Sequence, residues 1–237
     1  MTGLLEIQGL TAHYGDFKAL FGVDLILEEG QTLAIIGANG AGKTTLMRAI
    51  TGIARVSGGS IRLKGRDLAQ LSAPDILTAG IAMVPEGRRL FPSLTVEENL
   101  QIGAHARTGN RFWTLDRIFT LFPILRERRS QPGTALSGGQ QQMVAIGRAL
   151  MSNPTVLLCD ELSLGLAPVV IREIYAAFPT IRDSGAAIIV VEQDISQALK
   201  VADHVHCMME GRITLSGRPQ ELSRGAIHDA YFGVKHA

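Results

Sequence analysis

Gly37-Ala38-Asn39-Gly40-Ala41-Gly42-Lys43-Thr44-Thr45 follows Gln31-Thr32-Leu33-Ala34-Ile35-Ile36, a short apolar run with β-branched residues bounded by Gly30 and Gly37. The run reads as a buried strand. The glycines after it let the backbone turn tightly and aim successive N–H groups inward. A helix starting near Lys43 adds its positive dipole end to the same concavity. An anion belongs there. Lys43 would neutralise the β- and γ-phosphates of a nucleotide, the Thr44 hydroxyl would hold Mg²⁺, and Thr45 would add a further phosphate contact. This pattern alone says only that phosphates bind, because kinases, GTPases and motors all use one.

Two further patterns narrow the chemistry. Val156-Leu157-Leu158-Cys159 reads as a second buried strand whose end delivers Asp160 and Glu161 to the rim of a parallel sheet, where ligands bind. Side chains alternate along a strand, so the two carboxylates are expected to face opposite ways and to hold different jobs. Asp160 would hold the metal through water, and Glu161 would orient or deprotonate the attacking water. Between these segments, Leu136-Ser137-Gly138-Gly139-Gln140 precedes a helical stretch from Gln141 to Met151. Ser137 suits an N-cap, and two glycines leave the helix start open to an anion.

Bulk properties fit a compact intracellular subunit. At 237 residues the chain can bury a substantial core as one domain, or one domain with a subdomain. Lys+Arg 23 against Asp+Glu 22 leaves no electrostatic footprint for nucleic acid. Cys159 and Cys207 both lie in apolar runs and read as buried free thiols, without zinc spacing. No apolar stretch approaches the ~18 residues needed to span a bilayer, and no signal-peptide pattern opens the chain.

Along the chain, Leu4 to Gly9 and Val23 to Leu27 read as antiparallel strands around a turn at Gly15-Asp16. Ser60 to Lys64 reads as another strand before a Gly65-Arg66-Asp67 turn. Phe91 to Leu136, with helical periodicity, a Pro123 break and charges from Arg126 to Arg129, reads as an inserted helical subdomain. The α/β pattern resumes through Ala186 to Val191 and closes with strands at His206 to Met209 and Arg212 to Leu215. The expected organisation is an α/β P-loop NTPase core with an antiparallel β subdomain. Residues 1–86 form its first part, 87–151 the helical subdomain with the Ser137 helix, and 152–237 its second part.

In the order in which they occur, the three motifs resemble those of ABC transporter ATPases, over nearly the whole chain. Val84-Pro85-Glu86-Gly87-Arg88-Arg89-Leu90-Phe91-Pro92-Ser93-Leu94-Thr95-Val96-Glu97-Glu98-Asn99-Leu100, Leu164-Gly165-Leu166-Ala167-Pro168 and Val191-Glu192-Gln193 resemble the LivF type of branched-chain amino acid importer ATPase. The resemblance implies ATP with Mg²⁺ and head-to-tail pairing with a second ABC ATPase subunit, each lending its Ser137-Gly138-Gly139-Gln140 helix to the other's P-loop. It also implies two transmembrane permease subunits, a periplasmic binding protein acting indirectly, and a peripheral position on the cytoplasmic side of the membrane. Tyr14 would stack on adenine. The segment from Glu86 to Leu100 would relay ATP closure to a permease helix. A urea or short-amide importer ATPase shares much of the same segment. Soluble members acting on ribosomes or DNA fit less well, since one P-loop and one signature are present with no sustained heptads between them.

Four positions depart from the general ABC pattern. Glu86 stands in place of a glutamine at Mg²⁺ and the lytic water, and a carboxylate can still coordinate metal. Gln193 stands in place of a histidine at the γ-phosphate, substituting a neutral amide donor. Ala167 replaces an aspartate and Leu162 a proline in the loop after Glu161.

Overall fold

Two sheets and a block of helices account for residues 3–106 and 112–233, the part described by the computed structural model. Leu5–Tyr14 (β1) and Phe17–Leu27 (β2) pair antiparallel around the Gly15-Asp16 turn. Thr32–Ile36 (β3) runs into the glycine-rich loop, and Lys43–Ile50 (α1) leaves it. Arg55–Leu63 (β4) and Arg66–Asp67 (β5) join the first pair in an antiparallel sheet of order β2-β1-β4-β5. Ala73–Ala79 (α2) and Ile81–Val84 (β6) lead to Val96–Gly103 (α3), Leu115–Leu121 (α4), Pro123–Glu127 (α5) and Gly138–Leu150 (α6). Val156–Asp160 (β7), Pro168–Ala176 (α7), Phe178–Asp183 (α8) and Ala187–Glu192 (β8) follow. Ile195–Val201 (α9), His204–Met209 (β9), Arg212–Gly217 (β10) and Arg224–Phe232 (α10) end the described chain.

The second sheet has the order β10-β9-β3-β8-β7-β6 and is parallel except for β10. Every residue of β3, β7 and β8 is buried, as strands covered on both faces must be. Alternation divides them: Leu33, Ile35, Leu158 and Ile189 enter the core toward the antiparallel sheet and α1. Ala34, Ile36, Leu157 and Ile188 enter the core under the helices. This is the P-loop NTPase arrangement, with an antiparallel sheet on one side and helices on the other. Pro123 opens α5 at its first turn, so the expected break is a helix boundary.

Several boundaries differ from those expected. β4 begins at Arg55, because Ser57-Gly58-Gly59-Ser60 carries little strand propensity and is held by pairing with β1. Arg66 and Asp67 pair with Leu63 and Arg62 instead of forming the turn. α6 starts at Gly138 and not Gln141, because Ser137 and Gln140 form a capping box that offsets the poor helix propensity of two glycines. Residues 107–111 of the expected helical insertion and 234–237 of the C-terminal stretch lie outside the described residues. The preceding helix, α10, buries Ile227 in the core. Cys159 and Cys207 are buried free thiols. Among the described residues no helix is long and apolar enough to cross a membrane.

His206 on β9 is 7% exposed, and neither ring nitrogen has a hydrogen-bond partner. Burial, assisted by His204, pushes its pKa down to about 4. The unfolded chain takes the proton near pH 6.5, so the stability present above that pH is lost as pH falls toward 4. Urea unfolding should show about 2 kcal/mol lost from this group between pH 7 and pH 5. His206→Leu should shrink that loss by the same amount; an unchanged pH slope would contradict the assignment.

Candidate active site

The order β3-β8-β7-β6 sets four strand ends side by side on one rim. β3 delivers the glycine-rich loop, β8 Glu192 and Gln193, β7 Asp160 and Glu161, and β6 leads to Glu86. Tyr14, Asn39, Gly40, Gly42, Lys43, Thr44, Thr45, Glu86, Glu161 and Gln193 line one open cleft of about 760 Å³. Gly37 has no space for a side chain, since a Cβ would lie 2.2 Å from the Met208 carbonyl oxygen. Gly42 caps α1 at φ +101°, which an L side chain rarely adopts. Ala38 is exposed at the loop's lip, and the Ala41 N–H closes a turn onto its carbonyl at 3.1 Å.

Lys43 is 4% exposed. Its Nζ donates to the Gly37 and Ala38 carbonyls at 2.8 and 3.1 Å and lies 3.8 Å from Glu161 Oε1. Burial lowers its pKa, and Glu161 and Asp160 pull the other way. Asp160 is 2% exposed, with its Oδ1 unpartnered. Burial, then Glu161 and Glu86, raises its pKa to about 6, against the Thr44 hydroxyl and Lys43. An orphaned carboxylate oxygen amid further carboxylates and a threonine hydroxyl is a donor set for a hard cation. Among the described residues no three His, Cys, Asp or Glu side chains are arranged to ligate one ion alone. An ion that keeps waters and takes phosphate ligands fits such a site.

The expected opposition of Asp160 and Glu161 does not hold. Glu161 leaves the strand at φ +51°, with its N–H bonded to the Val191 carbonyl at 3.0 Å. That turn swings its carboxylate back to the rim, where Gln193 Nε2 donates to Oε2 at 2.7 Å. Both carboxylates therefore face Lys43, and they differ in burial and partners instead of direction. Tyr14 is 60% exposed on the cleft wall, with the Arg48 guanidinium 5.6 Å from its ring centre, so it is not a core residue.

Ser137 and Gln140 hold each other at the start of α6, with Ser137 N–H to Gln140 Oε1 at 3.0 Å and Gln140 N–H to Ser137 Oγ at 3.3 Å. Neither they nor Gly138 and Gly139 line the Lys43 cleft. The start of α6 thus lies outside the Lys43 cleft of its own chain. Leu162, in place of proline, is 1% exposed and packs in the core, while Ala167 starts α7 with no side-chain cap. Sequence reasoning missed Phe17, 81% exposed in the same cleft, and Arg148. From α6, Arg148 donates to the Arg89 and Arg88 carbonyls at 2.8 and 3.1 Å. It holds the last two of three successive left-handed residues after Glu86: Gly87, Arg88 and Arg89. No local pattern announces that clamp.

Residues 20–163 match the ABC transporter family. The chain belongs to that family. It is 42% identical to the high-affinity branched-chain amino acid transport ATP-binding protein BraG of Pseudomonas aeruginosa, over 97% of this chain and 100% of that one. A probable branched-chain amino acid transport ATP-binding protein LivF of Archaeoglobus fulgidus is 34% identical over 92% of this chain and 94% of its own. Among solved structures, the ADP conformation of an ATP-binding cassette of an ABC transporter superposes with TM-score 0.82 at 28% identity, covering 99% of this chain and 100% of that one. As an ABC ATPase, the chain binds nucleotide, hydrolyses ATP and carries no membrane-spanning helix of its own among the described residues.

α6 and α7 touch at Gly139, where a Cβ would lie 2.4 Å from Val170 Cγ1. A stiff β-branched side chain cannot yield that space. Gly139→Ala should lower stability by about 1–3 kcal/mol in thermal unfolding. An unshifted melting temperature would contradict this packing.

Proposed function

We propose that this chain is the ATP-hydrolysing subunit of an importer for branched-chain amino acids. The observation that carries the solute class is 42% identity to BraG across the whole of that relative. The proposed complex sets this chain on the cytoplasmic face of the membrane, bound to two transmembrane permease subunits, with a second ABC ATPase and, indirectly, a periplasmic binding protein. Head-to-tail pairing is supported by the separation of the Ser137 end of α6 from the Lys43 cleft, since a second subunit could then complete each site.

In this reading, the loop from Gly37 to Gly42 and the N-terminus of α1 bind the ATP phosphates through backbone N–H groups. Lys43 would leave its carbonyl partners for the β- and γ-phosphates. Thr44 and Asp160, with Glu86 beside them, would hold Mg²⁺, which when bound neutralises phosphate charge. Glu161 accepts a proton from, or orients, the attacking water. Gln193 orients Glu161 and donates toward the γ-phosphate. Tyr14 offers its exposed ring face to adenine.

Residues 87–151 act as the unit that carries this chemistry to the permease. Phe91 is 47% exposed, so it is not simply core, and buried Asn99 braces its neighbourhood by accepting from the Phe91 N–H at 2.9 Å and donating to the Phe91, Leu94 and Thr95 carbonyls. An exposed aromatic on a braced segment suits a groove for a permease helix.

Two measurements test this reading. Affinity purification from native membranes should recover two multi-span permeases and a second ATPase, and the recovered complex should take up leucine or valine on ATP. Uptake of urea or short amides instead, or recovery with ribosomes, would overturn the solute or the class. Glu161→Gln should keep ATP binding while turnover falls at least roughly 100-fold. Turnover near wild type would remove Glu161 from its role.

A further inference from the structure

Glu192 ends β8 one residue before Gln193, yet it faces the opposite side of the sheet, toward α7. It is 1% exposed. A carboxylate buried so deeply must have partners, and the ion pairs among the described residues do not include it. Its partners are neutral donors. Ser163 Oγ donates to Oε2 at 2.5 Å, the Ser163 N–H to Oε1 at 3.2 Å, and the Tyr175 hydroxyl also to Oε1. Tyr175 is itself buried, with its ring edge on Phe178 at 5.1 Å between centres.

These contacts bridge three elements. Ser163 lies two residues beyond Glu161 in the loop from β7 to α7, and Tyr175 lies on α7. On the other side of the sheet, the Val191 carbonyl and the Gln193 amide hold the Glu161 N–H and carboxylate at 3.0 and 2.7 Å. Three consecutive residues at the end of β8 therefore grip the loop at its start. The loop needs that grip, because Glu161 sits at φ +51° and a non-glycine residue stays there only when its surroundings fix it. The far end offers little, since Ala167 gives α7 no side-chain cap.

We propose that Glu192 is a positioning residue for ATP hydrolysis: by accepting from Ser163 and Tyr175 it fixes the loop that aims Glu161. The inference rests on the role given to Glu161 above. It acts through acceptor geometry and not through charge. A carboxamide could keep its oxygen on the Ser163 N–H and the Tyr175 hydroxyl and turn its NH₂ to Ser163 Oγ, which accepts as well as donates. Alanine would leave three donors unpaired in a dry site.

The test compares Glu192→Ala, Glu192→Gln and Tyr175→Phe in the full chain. Its readouts are hydrogen exchange over residues 161–167, binding of a fluorescent ATP analogue, and ATPase kinetics of the permease complex. In Glu192→Ala, exchange over the loop should rise roughly tenfold. kcat should fall roughly 10- to 100-fold, with KM for ATP within about twofold of wild type. Glu192→Gln should bring exchange and kcat back to within about threefold of wild type. Tyr175→Phe, which removes one donor and leaves no buried group unpaired, should shift both the same way by roughly threefold, and it decides the matter if the alanine variant does not fold. Unchanged loop exchange, an equal kcat loss in Glu192→Gln, or a kcat loss matched by lost nucleotide binding would each overturn the proposal. A wild-type complex without ATPase activity would instead overturn the functional reading, and the exchange comparison would still decide whether Glu192 holds the loop.

Discussion

A buried ammonium at the end of a parallel sheet organises this molecule. Lys43 is held by two loop carbonyls and faces Glu161, with Asp160 beyond. Removing its charge from water is costly unless those partners stay in place. They stay because β3, β8 and β7 are fully buried and hydrogen-bonded in register, so their ends cannot move independently. The two cores on either face of that sheet thus hold a charge arrangement that the loop by itself would not maintain.

Strain gathers around this rim and is contained by hydrogen bonds from elsewhere in the chain. Glu161, Arg88 and Arg89 all have positive φ, each at a cost of order 1 kcal/mol or more. Arg148 on α6 holds the carbonyls of Arg88 and Arg89, and the end of β8 holds Glu161. The segment after Glu86 is thereby tied to the same helix whose N-terminus carries Ser137-Gly138-Gly139-Gln140.

Much of the architecture was legible in sequence because its causes are local. Continuous apolar runs marked β3, β7 and β8, and Ser137 was legible as an N-cap, although the capping box with Gln140 that starts the helix at Gly138 and not Gln141 was not. The first half of β4 was hidden, since Ser57-Gly58-Gly59-Ser60 becomes a strand only by pairing with β1. Asp160 and Glu161 were legible as a pair of acids, but their directions were not, because one left-handed residue cancels the alternation of the strand. Glu192 gave no local sign of its role, since its partners lie 29 and 17 positions away on other elements.

The sequence by itself determined the phosphate loop, the adjacent carboxylates, the capped glycine helix and the family to which they belong. Each is a short pattern whose backbone geometry follows from neighbouring residues. Only the tertiary structure decided which groups meet. The order β3-β8-β7 brings both Lys43 and Gln193 onto the Glu161 carboxylate and turns Glu192 toward the helices, because sheet order and strand-end geometry depend on long-range pairing that no local pattern encodes.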